Sequence, residues 1–73
     1  MSKLPVVSGK KVIKALEQIG YYVRGRESSH VHLRHSYRRP LTIPDHKEIA
    51  RGTLRAIIRD AGLTIEEFRR FLK

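Results

Sequence analysis

A chain of 73 residues has room for one small core, and a formal net charge of +9, from 16 Lys and Arg against 7 Asp and Glu, is charge that an anionic partner would offset. With no cysteine there is neither a disulfide framework nor a thiolate metal site, so the fold rests on packing alone. The early apolar run Leu4-Pro5-Val6-Val7 falls far short of the roughly 20 residues a membrane span needs, and residues 1–73 read as a single soluble, cytoplasmic domain.

Ser8 and Gly9 open an amphipathic helix in which Val12, Leu16 and Ile19 recur at helical spacing with Ile13 beside them, and Gly20 supplies its stop. Tyr21, Tyr22 and Val23 make a first short strand, broken by Gly25 and the Ser28-Ser29 pair. From His30 the period is two: Val31 and Leu33 point one way, while His30, His32 and Arg34 point the other. Ser36 to Pro40 reads as a hairpin connection, and Leu41-Thr42-Ile43 alternates until Pro44 ends the strand.

A second helix begins at Gly52-Thr53, carries the stripe Leu54, Ile57, Ile58 and Ala61, and stops at Gly62. Thr64 and Glu67 fit a capping box ahead of a last short helix with Phe68, Phe71 and Leu72 on its apolar side. The order helix, three-stranded antiparallel sheet, helix, short C-terminal helix predicts an α+β fold with the helices on one face of the sheet. The opposite face is left for a ligand.

The chemistry concentrates at His30. Imidazole can both take and give a proton near neutrality, and one planted among cations suggests cleavage of a polyanion, although a strand histidine is also commonly a half-exposed structural residue. His32 shares its face, whereas His35 reads as an exposed side chain and His46, after Pro44-Asp45, as one that ties a loop to backbone. Lys10, Lys11 and Lys14 on the first helix, and Arg51, Arg55 and Arg59 at the second, form cationic ridges that suit phosphates or are simply solvated. Arg26, Arg34, Arg38 and Arg39, with His32, complete the candidate nucleic-acid contacts. Tyr37 is the better candidate for base stacking, Tyr21 and Tyr22 for packing. His30 and His32 could approach one ion, but no carboxylate or cysteine completes a usual ligand shell, so neither a metal nor another cofactor is expected.

The chain resembles the HicA toxins, also called YcfA-like mRNA interferases, of type II toxin–antitoxin pairs. The resemblance runs through Lys3-Leu4-Pro5, Ser8-Gly9-Lys10, Ser29-His30, Ile43-Pro44-Asp45-His46, Gly52-Thr53-Leu54-Arg55 and Ala61-Gly62-Leu63-Thr64, continuing into Glu66-Glu67-Phe68. No single piece is diagnostic, but the ordered series over one short chain is specific. It implies a fold like the double-stranded-RNA-binding domain (dsRBD-like), a catalytic histidine at the position of His30, and metal-independent endoribonuclease activity on mRNA in the stress response. It further implies a HicB-type antitoxin that covers the active face, with DNA reached only through the antitoxin complex.

Two positions depart from the family's usual Gly-Ser-His-His: Ser28 stands where glycine is common, and Val31 where a second histidine often follows. If the backbone needs positive φ at Ser28, serine costs about 1 kcal/mol that glycine avoids. Val31 points away from the histidine face. A non-catalytic double-stranded-RNA-binding module is the alternative that the same fold and charge allow.

Overall fold

The computed structural model describes residues 3–72. Its elements are α1 (Gly9–Glu17), β1 (Tyr22–Glu27), β2 (His30–Arg34), β3 (Leu41–Pro44), α2 (Arg51–Asp60) and α3 (Ile65–Arg70), and the strands pair antiparallel in the order β1-β2-β3. This is the dsRBD-like α+β arrangement expected from the sequence. Val31 and Leu33 of β2 and Leu41 and Ile43 of β3 are buried in one cluster with Val12 and Leu16 of α1, Leu54 and Ile58 of α2, and Phe68 of α3. All three helices therefore contribute to the core on one side of the sheet, and its other face stays open.

Helix ends are set locally. Ser8 accepts from the Lys11 N–H at 3.2 Å, and the regular part of α1 stops at Glu17, earlier than Gly20. Gly20 lies in the turn that follows, at φ 105, and the Tyr21 N–H returns to the Leu16 carbonyl at 3.2 Å. Only a residue without a β-carbon takes that conformation cheaply, and the chain then leaves the helix directly into the sheet. The Thr64 capping box is complete, with the Glu67 N–H donating to Thr64 Oγ1 at 3.0 Å and the Thr64 N–H to Glu67 Oε1 at 2.8 Å. The latter bond, first among several causes, holds the Glu67 carboxyl below its ordinary pKa.

At Gly9 the start of α1 runs hard against the end of β3. A β-carbon there would drive into the Pro44 carbonyl oxygen and come within 2.9 Å of Asp45 Cα. The Gly9 N–H donates to the His46 carbonyl at 2.9 Å, and the Ile49 N–H to the Val7 carbonyl at 2.9 Å. The start of α1, the chain after β3 and the approach to α2 thus meet at one end of the molecule.

The first strand is longer than expected. It continues through Gly25 to Glu27, with a register irregularity between Val23 and Gly25 that leaves Arg24 without a partner on β2. Glycine here marks a bulge inside the strand, not its end.

Candidate active site

Glu27 pairs with His30, so Ser28 and Ser29 are the two central residues of a tight hairpin. Ser28 has φ 59 and Ser29 does not share the positive φ, the sign pattern of a type II′ turn, whose first central position favours glycine. Serine therefore does occupy a backbone conformation that suits glycine better. The turn is held from outside: the Asp45 N–H donates to the Ser29 carbonyl at 2.7 Å, and Arg26 Nη1 to Asp45 Oδ2 at 2.8 Å. Ser28→Gly is expected to stabilise the protein by roughly 0.5–1 kcal/mol, the relieved strain less the extra entropy of glycine in the unfolded chain. Thermal denaturation would show this as a Tm higher by a few degrees; an unchanged or lower Tm would mean that Ser28 carries no strain.

His30 is the first residue of β2, set between Glu27 and Pro44 on the outer face of the sheet, and it is exposed. Among the described residues its ring makes no hydrogen bond, which leaves both nitrogens available to a ligand. His32 follows on the same face, between Gly25 and Thr42. Its Nδ1 lies 3.2 Å from Thr42 Oγ1 and its Nε2 lies 3.7 Å from Glu27 Oε1. A threonine hydroxyl can donate or accept, so the His32 ring keeps a partner in either protonation state. Arg34 extends the same face and is exposed.

The other basic residues divide by position. Arg26 lies opposite Val31, on the helix side of β1, and its guanidinium is engaged by Asp45. Lys10, Lys11 and Lys14 are exposed on α1 and, with Gln18, Phe71 and Leu72, line a groove of about 280 Å³ beside the C-terminal segment. Lys10 also borders a second groove with Asp45, His46 and Lys47, so it approaches the His30 end from the helix side. Arg38 and Arg39 lie in the β2–β3 connection, at the other end of the sheet from the Ser28-Ser29 turn. Arg38 Nη1 donates to the Ala61 carbonyl at 2.7 Å, at the negative end of α2, and its guanidinium stands 5.7 Å from the Tyr37 ring centre. Arg39 is exposed, with Nη1 3.6 Å from Asp60 Oδ1.

Two histidines differ from expectation. His35 is half-buried, donating from Nε2 to the Ile19 carbonyl at 2.7 Å and accepting at Nδ1 from the Tyr37 and Arg38 N–H groups at 3.2 and 3.3 Å. It packs edge-on against Tyr21 and Tyr37, and clasps the β2–β3 connection to the end of α1. At His46 the backbone carbonyl ties the loop to α1, while the imidazole is exposed and makes no hydrogen bond among the described residues.

Tyrosines also separate. Tyr21 is buried as expected and donates to the Arg39 carbonyl at 2.8 Å, and burial raises its phenol pKa. Tyr22, expected to pack, is 53% exposed and stands opposite Arg34 on the outer face. Arg24 was likewise no sequence candidate; with Gly25, His32, Arg34, Pro40 and Thr42 it borders a shallow groove on that face. The signal for it was Gly25, since a glycine inside a strand pattern marks either a break or a bulge.

Among the described residues no three His, Cys, Asp or Glu side chains are grouped to hold one metal ion, and no helix is long and apolar enough to cross a membrane. A family model described as the HicA toxin of bacterial toxin–antitoxin systems matches residues 9–63. The structure is similar to a chain of a toxin–antitoxin complex from Streptococcus pneumoniae, with a TM-score of 0.69 and 34% identity, covering 78% of this chain and 98% of that one. No curated protein matches the sequence.

Proposed function

The chain belongs to the HicA toxin family of bacterial toxin–antitoxin systems, and on that premise we propose that it is an endoribonuclease that cleaves mRNA in the cytoplasm with His30 as general acid or base. The observation that supports this reading best is the setting of His30: an exposed imidazole that makes no hydrogen bond among the described residues, on the uncovered face of a sheet, with a second imidazole two residues along.

RNA contains its own nucleophile. One imidazole takes the proton from a 2′-hydroxyl, the 2′-oxygen bonds to the adjacent phosphorus, and the bond from phosphorus to the 5′-oxygen breaks. A proton from an acid completes the departing 5′-hydroxyl, leaving a 2′,3′-cyclic phosphate on the other fragment. DNA lacks the nucleophile. Residues two apart on a strand face are about 7 Å from one another, so His30 and His32 can flank one phosphodiester, one at each oxygen. Arg34 supplies positive charge on the same face for the phosphoryl oxygens.

The natural partner in this reading is a HicB-type antitoxin that covers the open face and excludes RNA, with DNA bound only through the complex of the two. The test is incubation of the partner-free protein with RNA and DNA of matched sequence in EDTA. Cleavage of RNA alone, giving cyclic-phosphate ends, is the expected result. A folded protein that binds RNA and cuts none would instead be a double-stranded-RNA-binding module using the lysines of α1.

A further inference from the structure

We propose that the substrate is RNA in single-stranded form, laid along the outer face of the sheet from His30 to Tyr22, with a base stacked on Tyr22 and phosphates neutralised by Arg24 and Arg34. The proposal rests on the reading that places the reacting phosphodiester at His30. Its own support comes from Tyr22, Arg24 and Gly25, which the catalytic step does not use, while Arg34 serves both readings.

The first feature is Tyr22. An aromatic ring 53% exposed, directly opposite the exposed Arg34, offers a π-face and a cation side by side. From His30 to Arg34 the strand advances about 13 Å at roughly 3.3 Å per residue, the reach of a few nucleotides. The second feature is the bulge. It leaves Arg24 without a strand partner at the rim of the same groove and sets Gly25 opposite His32. The third is Gly25, opposite His32, where a β-carbon would meet nothing within 4 Å. Its lack of a side chain leaves the floor of the groove, midway between His30 and Tyr22, open to a ribose or base.

Charge follows the same direction. Glu27, the carboxylate on this face, lies at the His30 end close to His32, while the guanidinium groups gather toward Tyr22. A duplex cannot use this surface in the same way, because its bases are already stacked on one another; aromatic platforms read bases that are unstacked. On its β3 side the groove is bordered by Pro40, Leu41 and Thr42, and Leu33 and Leu41 are buried in the core, so an extended strand can lie across it.

The experiment uses the His30→Ala protein, with fluorescence anisotropy of a short labelled RNA, single-stranded or annealed to its complement. Tyr22→Ala, Tyr22→Phe and Gly25→Leu are added to that background, each checked for folding by circular dichroism. The single strand is expected to bind more tightly than the duplex. Tyr22→Ala should weaken single-strand binding roughly 5- to 150-fold, the equivalent of about 1–3 kcal/mol of stacking per base; Tyr22→Phe should preserve it and Gly25→Leu should weaken it. Equal or tighter binding of the duplex, or a Tyr22→Ala protein that binds the single strand like its parent, overturns the proposal. If His30→Ala still cleaves while Tyr22→Ala weakens single-strand binding, the catalytic reading fails and this surface stands. If His30→Ala abolishes cleavage while Tyr22→Ala changes nothing, the reverse holds.

Discussion

His30→Ala is expected to slow RNA cleavage about 10²- to 10⁴-fold, the contribution typical of one positioned proton carrier, while leaving the fold intact. The two halves of that expectation have different origins. Loss of rate follows from removing the imidazole that handles the 2′- or 5′-oxygen proton. Retention of the fold follows from the environment of the ring, which is exposed and makes no hydrogen bond among the described residues. Exposed substitutions of this kind usually change stability by no more than about 0.5 kcal/mol. Single-turnover cleavage of RNA and a thermal melt of the same sample separate them. A well-folded variant that cuts as fast as the parent would remove His30 from the mechanism, and the same assay on His32→Ala would then ask whether its neighbour carries the chemistry.

Gly9→Ala should be the most damaging single-methyl change for stability, although local reasoning points the other way. Within a helix alanine is favoured over glycine by up to about 1 kcal/mol, an upper bound for Gly9 as the first residue of α1. Here the new methyl would meet the Pro44 carbonyl oxygen and Asp45 Cα, both main-chain atoms that no rotamer change can move aside. Overpacking costs about 1–3 kcal/mol and sometimes more, and immovable neighbours place this case at the upper end, for a net loss of about 2 kcal/mol. A domain of this size has roughly 4–11 kcal/mol of stability in all, so Tm should fall by roughly 8–16 °C. Cleavage should fall as well, since Pro44 pairs with His30 and Asp45 holds the Ser28-Ser29 turn. A Gly9→Ala protein as stable as its parent would show that α1 can shift away from the sheet without cost.

Ser28 is the position where a family departure has a structural consequence. Its φ of 59 is tolerated because the turn is over-determined: strand pairing closes it from one side, and the bonds from Asp45 hold it from the other. Arg26 thereby belongs to the support of the turn as much as to any phosphate contact. The same division of labour applies to Arg38, whose head closes the end of α2, and to His35, whose ring nitrogens are both used by backbone groups.

Period-two alternation from His30 to Arg34, helical spacing in α1 and α2, the Gly20 and Gly62 stops and the Thr64 capping box were all legible in the chain itself, because each depends on residues within one or two turns of one another. The histidine face of β2 was legible for the same reason: with Val31 and Leu33 buried, the pleat alone sends His30 and His32 outward. Other outcomes needed the folded molecule. Whether Gly25 ends a strand or bulges within it depends on the register β2 imposes, and that register decides where Arg24 and Tyr22 emerge. The roles of His35, Arg38 and Gly9 depend on partners more than ten residues away, Ile19, Ala61 and Pro44, which no local pattern brings together. The sequence by itself determined the elements and the face on which the imidazoles lie, through short-range periodicity and capping; only tertiary packing decided which of the basic and aromatic groups remain free for a ligand.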